Sequence, residues 1–277
     1  MTSTTAGAPA RTAGDASSGA TTTAPRRALA TTTPAGLAAV VTRTETAIRD
    51  PATPAAQFPE LGRAQQRAYR AMGRQPALIP AVLRLLPAAL RPVADSNARA
   101  GSDLRKLSRP GPQLPRWRIG HPAPPAELLA AYHDADARLG VGWAYLAAVH
   151  LVETRLGRIK GDSPAGAKGP MQFLPSTWRR YGGGGDINST RDAVLAAARL
   201  LRANGAPARM AAALYAYNHS DLYVRAVTAY AEQMRANPRT FLGYYQWQVY
   251  YGDTLLPEGY PDRPAQPPTA AGGPGIP

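Results

Sequence analysis

The chain has 277 residues, no cysteine, and 32 Lys and Arg residues against 18 Asp and Glu residues, which gives a formal net charge of +14. Without cysteine there is no disulfide framework, thiol nucleophile or zinc ribbon, and the four histidines are too scattered to indicate a metal cluster. The charge favours an anionic partner such as nucleic acid, a membrane surface or a wall polymer, and arginine-rich coding bias explains it equally well.

Residues 1–34 are predicted to form a disordered tail. Their Thr, Ala, Gly and Ser residues, with Leu29 as the one large apolar side chain, cannot bury enough surface to fold. An export signal needs roughly 7–15 consecutive apolar residues after a basic start. The apolar stretch after Arg26 and Arg27 is interrupted by Thr31 to Pro34, so it is a poor export signal. The arginine pair resembles a twin-arginine motif only weakly.

Residues 35–109 are predicted to form a helical region without evident chemistry. Apolar residues recur at helical spacing, and Pro80, Pro87 and Pro92 should split or kink the later helices. Residues 110–125, which include the sequences PGPQLP and HPAPP, are predicted to be an extended linker.

Residues 126–251 have the strongest helical pattern and are predicted to form the main domain. The predicted helices are Glu127 to Leu139, Trp143 to Leu156, Pro175 to Tyr181, Asp192 to Asn204, Arg209 to Tyr217 and Asp221 to Arg235. No segment shows convincing strand alternation, so the predicted fold class is mainly α. Residues 252–277, rich in Pro and Gly, are predicted to be a second tail.

Glu153 is the candidate catalytic residue that the helical pattern singles out. On a helix it shares a face with Leu146, Val149 and His150, so a carboxyl group lies on the apolar stripe. Burial there raises the proton affinity, as a general acid requires near neutral pH. Periodicity alone favours a structural role, in which Glu153 pairs with Arg155 or Arg158 or bonds to His150.

The segment after this helix favours the catalytic role. Val152 to Gly182, VETRLGRIKGDSPAGAKGPMQFLPSTWRRYG, resembles the catalytic segment of lytic transglycosylases of the type B-like branch. The family pattern S-x-A-G-A-x-G-x-M-Q-F-x-P-x-T-W is matched at fixed spacing from Ser163 to Trp178. The Ala-Tyr-Asn motif of the family is matched by Ala216, Tyr217 and Asn218.

The resemblance implies a lysozyme-like helical domain and a function. Glu153 would cleave the MurNAc-GlcNAc β-1,4 bond of peptidoglycan, first as acid and then as base, and leave a 1,6-anhydro-MurNAc end without a cofactor. Met171, Gln172 and Phe173 would line the floor of the substrate groove. Tyr217 would pack against a sugar, and Asn218 would bind substrate or simply end a helix.

A metal is not expected. Some relatives hold calcium in a D-x-N-G-D-G loop, but the corresponding GGGGDINST keeps only Asp186 and Asn188, too few oxygen ligands for this ion. Asp162, Asp186 and Asp221 are not positioned by any pattern as a second catalytic acid. The aromatic segment from Phe241 to Tyr251 is predicted to pack on the core rather than to bind glycan.

Three functions remain open at this point: a lytic transglycosylase, a muramidase-type hydrolase using the same glutamate, and a non-catalytic module that binds peptidoglycan. The expected partners are peptidoglycan strands and anionic wall polymers. A nucleic-acid binder is not expected because no recognition motif is present. A transmembrane segment is not expected either, because no stretch approaches about 18 continuous apolar residues. The substrate implies an extracytoplasmic or wall-associated protein, although residues 1–34 lack a clear signal peptide.

Overall fold

A computed structural model of the protein describes residues 33–108 and 110–268. The predicted tail at residues 1–34 lies outside these ranges except for its last two residues, and the last nine residues of the chain also lie outside them. The described part is mainly helical, as predicted.

The helices of the N-terminal region are α1 (Pro34–Arg49), α2 (Phe58–Arg74), α3 (Ile79–Leu85) and α4 (Arg91–Leu107). Pro34, Pro80 and Pro92 each lie in the first turn of a helix. Proline is tolerated there because the first amide groups of a helix have no partner within the helix. The prolines therefore split this region into separate helices, one of the two predicted outcomes.

The remaining helices are α5 (Pro125–Leu139), α6 (Trp143–Thr154), α7 (Pro175–Tyr181), α8 (Thr190–Ala203), α9 (Met210–Tyr217), α10 (Asp221–Ala236) and α11 (Thr240–Tyr245). Gly140 ends α5 in the left-handed conformation, with φ +63°, as its sequence position predicts. Helix α6 ends two residues earlier than predicted, because the next three residues all have positive φ.

The structure adds four short strands that the sequence pattern does not predict. Strand β1 (Arg118–Ile119) lies within the predicted linker and pairs antiparallel with β2 (Ile159–Lys160). Strands β3 (Val249–Tyr251) and β4 (Thr254–Leu256) form an antiparallel hairpin. Strands of two or three residues are too short to show alternation.

The start of the predicted C-terminal tail is structured. Leu256 is buried with Ile119 and Val249 in a small apolar cluster, and Leu255 pairs with Gln266. The prediction of a tail from residue 252 is therefore wrong for the described residues up to Gln266, because the hairpin gives them an apolar surface to cover.

One apolar core runs through both helical regions, from Leu37 on α1 to Trp247 after α11. Helix α4 packs against α10 and α2, and α6 packs against α5, α8 and α10. Helix α6 is central, since Ala147, Ala148 and Val149 have no exposed surface. The N-terminal helices thus form part of the same packed body and help to enclose the cavity described next. None of the described helices is long and apolar enough to span a membrane.

Candidate active site

Glu153 lies in the last turn of α6, on the wall of a cavity of about 790 Å³. Leu146 and Val149, on the same face of the helix, are fully buried, while Glu153 is partly buried. The cavity is also lined by residues of α2, α4 and α10 and of the β3–β4 hairpin. The apolar stripe of α6 thus carries a carboxyl group into an accessible, partly desolvated space.

The hydroxyl of Tyr223 on α10 donates a hydrogen bond of 2.7 Å to Oε1 of Glu153. Burial raises the pKa of Glu153 to about 7, although this hydrogen bond favours the charged form and acts to lower it. Both protonation states of Glu153 are therefore populated near neutral pH. Such a group can donate a proton and later accept one without a large change in free energy.

The structural partners considered for Glu153 are engaged elsewhere. Arg155 donates to the carbonyl oxygen of Leu151 at 2.7 Å, and Arg158 donates to the carbonyl oxygen of Tyr245 at 2.9 Å. His150 is fully buried and its Nδ1 lies 2.7 Å from the hydroxyl of Tyr132. Among residues 33–108 and 110–268, Glu153 therefore forms no ion pair with these partners.

The chain turns sharply directly after Glu153. Arg155, Leu156 and Gly157 have φ values of 54°, 60° and 83°, an uncommon left-handed run that ends the helix. The hydroxyl of Thr154 donates to the carbonyl oxygen of Pro170 at 2.6 Å and accepts from the amide of Gly157 at 3.0 Å. Thr154 thus joins the end of α6 to the loop that carries the sequence motif.

The loop from Gly161 to Leu174 brings Gln172 to the cavity wall. Lys168 and Phe173 pair as an isolated antiparallel bridge, which closes a tight turn in which Gln172 has φ +50°. The side chain of Gln172 donates to the carbonyl oxygen of Gly169 at 2.9 Å, so its orientation is fixed by the turn. Gln172 lines the cavity that also contains Glu153.

The prediction that Met171 and Phe173 line the groove floor needs correction. Their side chains are 0% and 2% exposed, and neither lines the cavity. Met171 lies in the turn and Phe173 lies in the bridge that closes it, and both side chains are buried in the core. Met171 and Phe173 support the turn from beneath.

Tyr217 lies next to the predicted acid without lining the cavity. Its ring stacks on that of Tyr223, with centroids 6.2 Å apart and planes 5° from parallel, and its hydroxyl donates to the carbonyl oxygen of Met171 at 2.7 Å. Tyr217 therefore braces Tyr223 and the motif loop. Asn218 is the C-terminal cap of α9, one of its two predicted roles, and it also lines the cavity.

Comparison with known proteins gives no assignment. No protein-family model, curated protein or solved structure matches the chain.

The remaining acids and aromatic residues lie as follows. Asp162, Asp186 and Asp221 are not among the residues that line the cavity. Within residues 33–108 and 110–268, no group of three or more His, Asp or Glu side chains is placed to hold a metal. In the aromatic segment, Phe241 and Tyr244 are buried in the core, whereas Gln248 lies beyond the end of α11.

Sequence reasoning missed several residues of the cavity. Tyr223 contacts Glu153 only because α10 packs against α6, and the sequence around a tyrosine five residues after the Ala-Tyr-Asn motif does not indicate this contact. Trp117 and the hairpin residues Tyr250 and Asp253 also line the cavity. They come from segments predicted to be a linker, an aromatic core segment and a tail.

Proposed function

We propose that the protein is a peptidoglycan lytic transglycosylase with a lysozyme-like catalytic region. It would cleave the MurNAc-GlcNAc β-1,4 bond and leave a 1,6-anhydro-MurNAc end. The observation that carries this proposal is the state of Glu153, a cavity carboxyl group with a pKa of about 7 that accepts a hydrogen bond from Tyr223. Gln172 of the sequence motif lines the same cavity.

In the first step, protonated Glu153 donates its proton to the glycosidic oxygen. The bond between that oxygen and C1 of MurNAc breaks, and the electron pair leaves with the oxygen. Positive charge develops at C1, and the substrate's own N-acetyl group supports it. Tyr223 orients the carboxyl group and stabilises the carboxylate that remains.

In the second step, the Glu153 carboxylate removes the proton from the C6 hydroxyl of the same sugar. The C6 oxygen then bonds to C1 and closes the anhydro ring, so water is neither consumed nor released. Glu153 ends the cycle protonated. A pKa near 7 suits both steps, because proton transfer is most efficient when the pKa of the group lies near the working pH.

The other carboxylate among the described cavity residues, Asp253, does not suit a two-carboxylate mechanism. Burial acts to raise the pKa of Asp253, but hydrogen bonding to Arg105 and the charges of Arg74 and Arg70 outweigh burial and lower it. A carboxylate held by arginines is a poor base or nucleophile. This favours a mechanism that needs one acid over hydrolysis by a carboxylate pair.

The test is digestion of purified sacculi by the wild-type protein and by Glu153→Gln, with mass spectrometry of the products. We expect 1,6-anhydro-muropeptides from the wild type and a rate reduced about 10²–10⁴-fold in the variant, the usual contribution of a general acid. Glu127→Gln, an exposed change of the same kind on α5, is the matched control and should keep wild-type activity.

Each alternative has its own signature. Reducing MurNAc ends without anhydro products would identify a muramidase, and binding without cleavage by the wild type would identify a binding module. Wild-type rates in Glu153→Gln would refute the assigned acid. The substrate also leads us to propose an extracytoplasmic location, with the net charge of +14 favouring contact with anionic wall polymers.

A further inference from the structure

Four arginines line the same cavity as Glu153: Arg70 and Arg74 on α2, Arg105 on α4, and Arg155 directly after α6. Besides Glu153, Asp253 is the one carboxylate among the described residues that line the cavity. Four guanidinium groups therefore face one carboxylate that is permanently charged near neutral pH. This surplus of positive charge lies within the cavity, in addition to that on the protein surface.

Asp253 holds three of these arginines in place. Arg105 binds it in a bidentate manner, with N–O distances of 2.9 and 3.2 Å. Arg74 and Arg70 lie 3.5 and 3.6 Å from its Oδ1. Arg70 also stacks on Tyr250, 3.7 Å from the ring centroid, and donates to the carbonyl oxygen of Gly252 at 2.7 Å. Arg70 is thus rigidly oriented and still has unused N–H donors.

Arg155 lacks such a partner. Its guanidinium donates to the carbonyl oxygen of Leu151 at 2.7 Å, and within the described residues no carboxylate oxygen lies within 4.0 Å of it. Burial lowers the pKa of Arg155, and it also lowers that of Arg70 to about 10, where the neighbouring charge of Arg155 acts in the same direction. Two partly desolvated guanidinium groups therefore repel each other across the cavity.

We propose that Arg70 and Arg155 bind a carboxylate of the substrate's peptide stem while Glu153 cleaves the glycan, with Arg74 and Arg105 reinforcing the positive potential. This inference rests on the proposed function. An anion between the two guanidinium groups would remove their repulsion, and planar guanidinium groups match a carboxylate through paired hydrogen bonds. The stem would then determine which glycan units the enzyme cleaves.

Arg155 follows Glu153 by two residues and lines the same cavity, so an anion bound by Arg155 would lie close to the bond that Glu153 cleaves.

The test measures binding by calorimetry, with a muropeptide of one disaccharide and an acidic tripeptide stem as the probe. The same muropeptide with amidated carboxylates is the comparison ligand. We expect the wild-type protein to bind the acidic form about 10-fold more tightly, as the loss of a charge-assisted hydrogen bond implies. Arg70→Gln and Arg155→Gln should each abolish most of this preference, and Arg155→Lys should retain part of it.

Arg67→Gln is the matched control, because Arg67 lies on α2 but is exposed and does not line the cavity. It should keep the wild-type preference. Equal binding of both muropeptides by the wild type, or equal loss for both in the arginine variants, would overturn the proposal. Displacement by inorganic phosphate with no effect of amidation would also overturn it and would point to a phosphate site.

The binding test separates this inference from the proposed function. A preference for the acidic muropeptide without any cleavage of sacculi would support the carboxylate site and refute the transglycosylase. Anhydro products formed at equal rates from acidic and amidated strands would support the transglycosylase and refute the carboxylate site.

Discussion

Glu153 shows how one side chain acquires a chemical property from its position. Its place on the apolar stripe of α6 removes water from the carboxyl group, and Tyr223 supplies one hydrogen bond that partly offsets the cost of charge. The sequence predicts the first of these effects through helical spacing. The second depends on α10, seventy residues further along the chain, and could not be read from the local pattern.

The raised pKa of Glu153 should make stability depend on pH. A glutamate in the unfolded chain has a pKa of about 4.3, so Glu153 binds its proton more tightly in the folded protein. The resulting stabilisation is fully present below the unfolded pKa and is lost as pH rises through about 7. Glu153→Gln avoids this loss, so we expect it to be more stable than wild type by about 3–4 kcal/mol at pH 8 and about equally stable at pH 4.

Urea denaturation at the two pH values measures this difference. Glu127→Gln is again the control and should show little change at either pH. A difference between Glu153→Gln and wild type that is the same at both pH values would contradict a raised pKa.

Tyr223→Phe tests the hydrogen bond to Glu153. Because this bond favours the carboxylate, its loss should raise the pKa of Glu153. The decline of activity at high pH, where the acid loses its proton, should then move to higher pH, and kcat should fall by about 10-fold because the carboxyl group is less well oriented. The pH profile of kcat/KM checks this, with the exposed Tyr215→Phe as control. An unshifted profile would argue against the contact.

At the level of elements, the motif loop depends on backbone conformations that its glycines permit. Gly166 and Gly169 both have positive φ, 77° and 71°, but their surroundings differ. A Cβ atom at Gly166 meets no atom within 4 Å, whereas one at Gly169 overlaps the carbonyl oxygen of Ile187. The motif therefore needs glycine at one site for conformation alone and at the other also for close packing.

Replacement of each glycine by alanine separates these two requirements. Gly166→Ala should cost about 1–2 kcal/mol, the penalty of a left-handed conformation for a residue with Cβ. Gly169→Ala should cost clearly more and also lower activity, because the loop must shift and takes Gln172 with it. Thermal denaturation and the sacculus assay measure both effects. Equal costs for the two variants would show that the contact with Ile187 is not tight.

Elements whose ends are marked by local residues are predicted by the sequence, whereas elements that depend on distant contacts are not. Helix α7 matches its predicted range because Pro175 and Gly182 mark its ends. Strands β1 to β4 form because separate segments pair, and each strand is too short to show an alternating pattern of apolar residues. The predicted helix α6 extends two residues too far, because Arg155 and Leu156 have no intrinsic preference for the left-handed conformation that they adopt.

At the level of the whole molecule, the N-terminal helices complete the cavity. Arg225 on α10 binds Asp103 on α4 at 2.8 Å, and the hydroxyl of Tyr244 on α11 donates to Asn97 on α4 at 2.5 Å. Together with the common apolar core, these contacts predict that residues 35–109 and 126–251 unfold as one unit.

Met72→Ala tests this cooperativity. Met72 on α2 is fully buried, so its truncation should cost about 2–5 kcal/mol. Circular dichroism and tryptophan fluorescence should report one shared transition at a lower temperature, although all four tryptophans lie after residue 109. Leu85→Ala, at a side chain that is 57% exposed, is the control and should cost little. Separate transitions for the two probes would indicate independent domains.

The sequence by itself determined the mainly helical class, the ends of six helices to within two residues, and the candidate acid, because helical spacing, proline and glycine act over a few neighbouring residues. Only the tertiary structure decided what surrounds Glu153: Tyr223, a buried Met171 and Phe173, and the arginines of the cavity. These features depend on contacts between segments far apart in the chain, which form because helices bury their apolar faces against one another. Local sequence patterns do not indicate which helices will pack together.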